Sequence, residues 1–87
     1  MKIKTFTTMD YNEFDELAAK LGLDFNFCAE QEASNDSEYS FNVDDRDLAA
    51  YKPEHLKLPY LSAHTVLVAL VAKGLLNKGD FLVEVSW

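Results

Sequence analysis

The chain has 87 residues, 48% of them apolar, and a formal net charge of −7. That length describes one domain, 1–87, and the apolar share is enough for a core and too high for a disordered chain. One Cys excludes a disulfide framework or a thiolate zinc cluster, and three Gly with two Pro exclude a collagenous or low-complexity chain.

In chain order, residues 2–7 are β-branched and aromatic and predict a short strand. Asp10 is a good helix N-cap, with Glu13 three residues on. Tyr11, Phe14, Leu17, Ala18 and Leu21 then recur at helical spacing. Glu16 and Lys20 are four apart on the far side, and Gly22 closes the helix. From Asp24 the period switches to two. Phe25, Phe27 and Ala29 alternate with Asn26, Cys28 and Glu30. After a polar turn over 32–37, Tyr39, Phe41 and Val43 alternate with Glu38, Ser40, Asn42 and Asp44. Two alternating runs about a turn predict a β-hairpin with one apolar and one acidic face.

Residues 45–58 allow two readings. Asp47 caps a short helix over 48–51 that Pro53 stops, or Pro53 opens a single turn through Leu56. Pro59 marks a fresh start, and residues 60–73 predict a buried helix with Ser62 as cap and Gly74 or Asn77 at the exit. A turn over 77–80 leads to a last strand with Phe81, Val83, Val85 and Trp87 on one face. The order β-α-β-β-α-β is the split βαβ, or ferredoxin-like, arrangement. The expected fold is α+β: a four-stranded antiparallel sheet with two main helices on one face.

Residues 1–5 lack the apolar stretch and cleavage site of a signal peptide. The apolar run near 60–76 carries His64, Thr65 and Lys73 and is shorter than the about 20 residues a spanning helix needs. The expectation is a cytoplasmic protein in a reducing compartment, with no membrane partner.

Charge is distributed unevenly. Residues 10–54 hold thirteen of the fifteen acids and three cations, Lys20, Arg46 and Lys52, a local charge of −10. Such a segment repels DNA, RNA and anionic membranes and attracts basic surfaces. The candidate partner-binding residues are Glu30, Glu32, Asp36, Glu38, Asp44, Asp45 and Asp47. In the functional reading each carboxylate meets a Lys or Arg of a nucleic-acid-binding groove, as a phosphate would. The plainer reading is a solvated face that keeps a sheet soluble.

Other chemistries have less support. Asp36-Ser37-Glu38 and Asp44-Asp45-Arg46-Asp47 offer oxygen ligands without the Asp-x-Asp-x-Asp-Gly pattern of a calcium loop, and His55 and His64 have no metal-site spacing, so no metal or cofactor is expected. Cys28 with His55 or His64 could form a nucleophile and base, but acidic neighbours disfavour the thiolate, and no G-x-S-x-G or P-loop occurs. Residues 37–43 resemble the RNP1 pattern of RNA-recognition motifs in the placement of Tyr39 and Phe41. The leading cation is missing and Glu38 replaces a Gly, which puts the aromatics in the core.

The expected function is therefore non-enzymatic: an acidic inhibitor of a partner with a basic surface, such as a nuclease, restriction enzyme or CRISPR effector. In size and lopsided acidity the chain resembles small phage-encoded anti-restriction and anti-CRISPR proteins, a likeness of composition. The alternative is a homodimeric structural or regulatory module whose acidity serves only solubility, joined at a sheet edge or through the C-terminal strand.

Overall fold

A computed structural model describes residues 6–57 and 61–86. The elements are β1 (Phe6–Asp10), α1 (Tyr11–Lys20), α2 (Phe27–Glu30), β2 (Ser37–Val43), α3 (Asp45–Ala50), a 3-10 helix (Pro53–Lys57), α4 (Ala63–Ala72) and β3 (Gly79–Val85). The α+β class holds. The expected four-stranded antiparallel sheet does not: the sheet has three strands in the order β1-β3-β2 and is mixed. β3 lies in the middle, parallel to β1 and antiparallel to β2. The early part of the first predicted strand, Pro59, Tyr60 and Trp87 lie outside the described residues.

The missing strand is the first half of the predicted hairpin. Residues 24–26 are irregular and Phe27–Glu30 form the single turn of α2. Two side chains decide this. The Asn26 carboxamide oxygen accepts from the Ala29 N–H and caps the turn. The Asp15 carboxylate, from the middle of α1, accepts from the Phe27 N–H at 2.8 Å. That bond holds the segment in a helical turn in place of a ladder. Phe25 and Phe27 are both buried, as the alternation demands. They reach the core from an irregular entry and a helical turn, with no pleat.

Elsewhere local chemistry sets the boundaries. The Asp10 carboxylate accepts from the Glu13 N–H and starts α1, and the Ser62 hydroxyl accepts from the Thr65 N–H and starts α4. Both long helices end alike. Gly22 (φ +77°) and Gly74 (φ +78°) adopt the left-handed conformation that favours glycine. The Gly22 and Leu23 N–H groups bond the Ala19 and Ala18 carbonyls, and the Gly74 and Leu75 N–H groups bond those of Val71 and Leu70. These are two complete Schellman closures. Over 45–57 both readings are realised in sequence, a helix and then a turn opened by Pro53. The cap of α3 is Asp44, three residues before the expected Asp47.

The helices cover one face of the sheet. Met9 of β1, Val43 of β2 and Phe81, Val83 and Val85 of β3 point into a core with Phe14, Ala18, Val66, Leu67 and Leu70. Phe27 is at its centre, with ring centroids 5.0 Å from Phe14, 5.6 Å from Tyr39 and 6.1 Å from Phe41, all edge-on. A thin dimension of 18 Å fits two layers, one of sheet and one of helix. None of the described helices lies on the other face.

Burial raises the Asp15 carboxyl above its usual range, and the Phe27 N–H only partly offsets that. A raised carboxyl in the folded state penalises folding at neutral pH. The penalty disappears as pH falls below the ordinary carboxylate range. Asp15→Asn, which keeps the acceptor and removes the charge, should exceed the parent in urea resistance at neutral pH and lose that advantage in acid. Asp15→Ala leaves a buried N–H unpaired and should cost about 1–3 kcal/mol.

Candidate functional site

β2 separates the seven acids proposed from sequence into two groups. Glu30, Glu32, Asp36 and Glu38 lie before or at its start, whereas Asp44, Asp45 and Asp47 follow its end. Six residue steps of extended chain between Glu38 and Asp44 span about 20 Å.

The second group is largely occupied by the protein itself. Asp44 accepts from the Arg46 and Asp47 N–H groups, and the Asp47 carboxylate accepts from the Asp44 N–H, a reciprocal capping box. Asp45 pairs with Lys78 at 2.7 Å. Asp47 also lies 3.5 Å from His64 Nε2, which is 3.0 Å from the Asn42 carbonyl oxygen. Both neighbours are acceptors, so Nε2 carries a hydrogen. Through this imidazole the start of α4 is tied to the end of β2 and the first turn of α3.

The first group is free of such ties. Glu30, Glu32, Asp36 and Glu38 are all exposed, and among the described residues none forms an ion pair. Glu32 (φ 49°) and Asp36 (φ 58°) are left-handed without being glycine. Asp tolerates that conformation better than Glu, so Glu32 carries the larger local cost, of order 1 kcal/mol.

The sheet adds two acids that sequence reasoning missed. Glu38 stands directly opposite Glu84 on β3, and Glu84 stands opposite Asp10 on β1. Three acidic residues thus form one row across the uncovered face, all exposed and without a described cationic partner. The Asp10 carboxylate caps α1 from this row. The next row is Thr8, Leu82 and Ser40. Beyond it Asn42 donates from Nδ2 to Asp80 Oδ1 at 2.9 Å. The alternation of Leu82, Glu84 and Ser86 marks Glu84 as outward-facing in the sequence. Its alignment with Glu38 and Asp10 requires the strand order.

A cleft of ≈ 150 Å³ lies between α3, the 3-10 helix and α4, lined by Asp47, Tyr51, His55, His64 and Thr65 among others. The Tyr51 hydroxyl is shielded from solvent and has no hydrogen-bond partner among the described residues. Cys28 is elsewhere, on α2, where burial and the Asp15 carboxylate push its thiol up and away from the thiolate. Among the described residues no group of three or more His, Cys, Asp or Glu is arranged to hold a metal ion, and no helix is long and apolar enough to cross a membrane. Comparison with known proteins finds no family model, curated protein or solved structure that matches this chain.

Two outcomes follow from these charges. Like charges directly opposite in a sheet are destabilising. Glu84→Lys, which places a cation between Glu38 and Asp10, should therefore raise stability by roughly 0.2–1 kcal/mol in urea unfolding. The Asp44 N–H, and secondarily His64, hold the Asp47 carboxyl below the usual range. Its contribution is present above the ordinary carboxylate pKa and is lost as pH falls through the lowered value. Asp47→Asn should weaken the protein at neutral pH and flatten the acid limb of its pH–stability profile.

Proposed function

We propose that this protein is a non-enzymatic interaction protein that binds a basic surface of another protein through the uncovered face of its sheet. The acids nearest β2's start, Glu32, Asp36 and Glu38, together with Glu84 and Asp10, are the residues assigned to that role. The observation that carries the reading is the row of Asp10, Glu84 and Glu38, in which, among the described residues, Glu84 and Glu38 have no cationic partner and Asp10 is engaged as the cap of α1. A sheet face that needed only solubility could interleave lysines, as most do, and gain stability. Here three acidic residues stand in register instead, an arrangement that like-charge repulsion disfavours. A cationic partner would relieve that repulsion on binding.

The receptor that fits is a surface rich in Arg and Lys, of the kind that nucleic-acid-binding enzymes present to phosphates. Occupying such a groove would inhibit the enzyme by exclusion. Long-range attraction between a −7 protein and a basic groove would speed encounter and make the association fall with salt. The same face is a poor self-association surface, since acids would meet acids.

The test is displacement of labelled duplex DNA from a restriction endonuclease and from an RNA-guided nuclease, at low and at high salt. Displacement should weaken as salt rises. The double variant Glu38→Lys/Glu84→Lys should weaken it by at least about tenfold. The double variant again sets like charges opposite one another, so its fold is checked by urea unfolding, and Glu84→Lys alone, expected to stabilise the fold, should weaken displacement in the same direction. Displacement indifferent to both salt and charge reversal would sink the assignment.

A further inference from the structure

The C-terminal ends of α1 and α4 meet around a second groove, of ≈ 400 Å³. Its apolar lining is Leu21, Tyr51, Pro53, Leu56 and Leu75. Leu75 is 42% exposed and is the large hydrophobic residue that the described surface leaves open. Lys20 and Lys73 line the same groove. Among the described residues neither ammonium has an ion-pair partner, and Glu16, well placed one turn before Lys20, does not come within ion-pair distance of it. Lys52 and Lys57 flank the segment that supplies Pro53 and Leu56, with Glu54 the one acid inside it. Two of the six Lys and Arg among the described residues therefore line this groove of a strongly acidic protein, and two more neighbour its lining residues in sequence.

The chemistry of the walls narrows the occupant. A peptide strand would need free backbone groups to pair with. The N–H groups at these helix ends (Gly22, Leu23, Gly74 and Leu75) are already spent on the Schellman closures. What remains is apolar contact along the floor and two cations at the edge. The volume falls within the about 300–1,000 Å³ of small-ligand sites. We infer that this groove binds an anionic amphiphile of the medium-chain alkyl carboxylate class, its chain on Leu21, Leu56 and Leu75 and its carboxylate between Lys20 and Lys73. Lysines at helix C-termini also complement the helix dipole, but that role does not require an open leucine beside them. This inference is independent of the acidic sheet face, which lies on another element set.

The probe is decanoate below its micellar concentration, titrated into the full chain and followed by amide NMR shifts. Saturable shifts should centre on Leu21, Leu56 and Leu75. Affinity should rise from octanoate to decanoate by up to roughly fourfold per methylene, the value expected for burying each CH₂. Lys20→Gln/Lys73→Gln should weaken decanoate binding by at least about tenfold, while Arg46→Gln, an equally exposed cation on α3, should leave it within about twofold. Leu75→Glu changes an exposed position and should abolish binding with an unchanged circular dichroism spectrum. Decanol or decyltrimethylammonium binding as tightly as decanoate would overturn the proposal, and so would shifts that map elsewhere. Vesicles of anionic phospholipid distinguish a free amphiphile from a membrane surface. Co-sedimentation with them in the absence of decanoate binding would overturn it as well.

Discussion

The hydrogen bond from the Phe27 N–H to the Asp15 carboxylate is the constraint on which the rest of the architecture depends. It fastens α2 to the middle of α1 and delivers the Phe27 ring into the space between Phe14, Tyr39 and Phe41. Burial penalises the Asp15 charge, and the bond repays part of that penalty. With the segment held in a helical turn, it adds no strand to the sheet. β2 is thereby left as an edge strand beside β3, and the outer face of the sheet stays narrow and uncovered by any described helix.

That narrow face explains why charge ends up where it does. A three-stranded sheet covered on one side must leave alternate residues of every strand in water. Over β2 and β3 those residues are Glu38, Ser40, Asn42, Asp80, Leu82 and Glu84. At one end of the sheet Asn42 and Asp80 satisfy each other, while Lys78, His64 and the capping box absorb the acids around α3. At the other end Asp10 caps α1, while Glu38 and Glu84 have no described ion-pair partner. The polarity of the molecule therefore lies along its strands: most acids used for folding at one end, Glu38 and Glu84 left over at the other. Two cations without a described ion pair, Lys20 and Lys73, sit at the closing ends of α1 and α4, where they border apolar surface. A chain with a large excess of acid thus keeps two surfaces of opposite character.

The sequence and the structure agree where a signal is local. Asp10, Ser62, Gly22 and Gly74 bound their helices because a cap or a left-handed closure involves residues within one turn. The inward alternation of Tyr39, Phe41 and Val43, and of Phe81, Val83 and Val85, holds for the same reason: a pleat repeats every two residues. The alternation of Phe25 and Phe27 misleads because a two-residue period over so short a run is also met by an irregular entry followed by a helical turn. Nothing within that run records that Asp15, twelve residues away, takes its backbone donor.

The sequence by itself determined the class of fold, the caps and closures of the two long helices, the inward residues of two strands and the concentration of acid in 10–54. Each follows from spacing or composition, which a linear chain carries in full. Tertiary structure alone decided the number and order of the strands, and with them which carboxylates stand side by side. Glu38 meets Glu84, and Glu84 meets Asp10, only because β3 is inserted between strands that precede it in the chain. Long-range pairing depends on which donors and acceptors other elements have already taken, and that information is distributed over the whole fold.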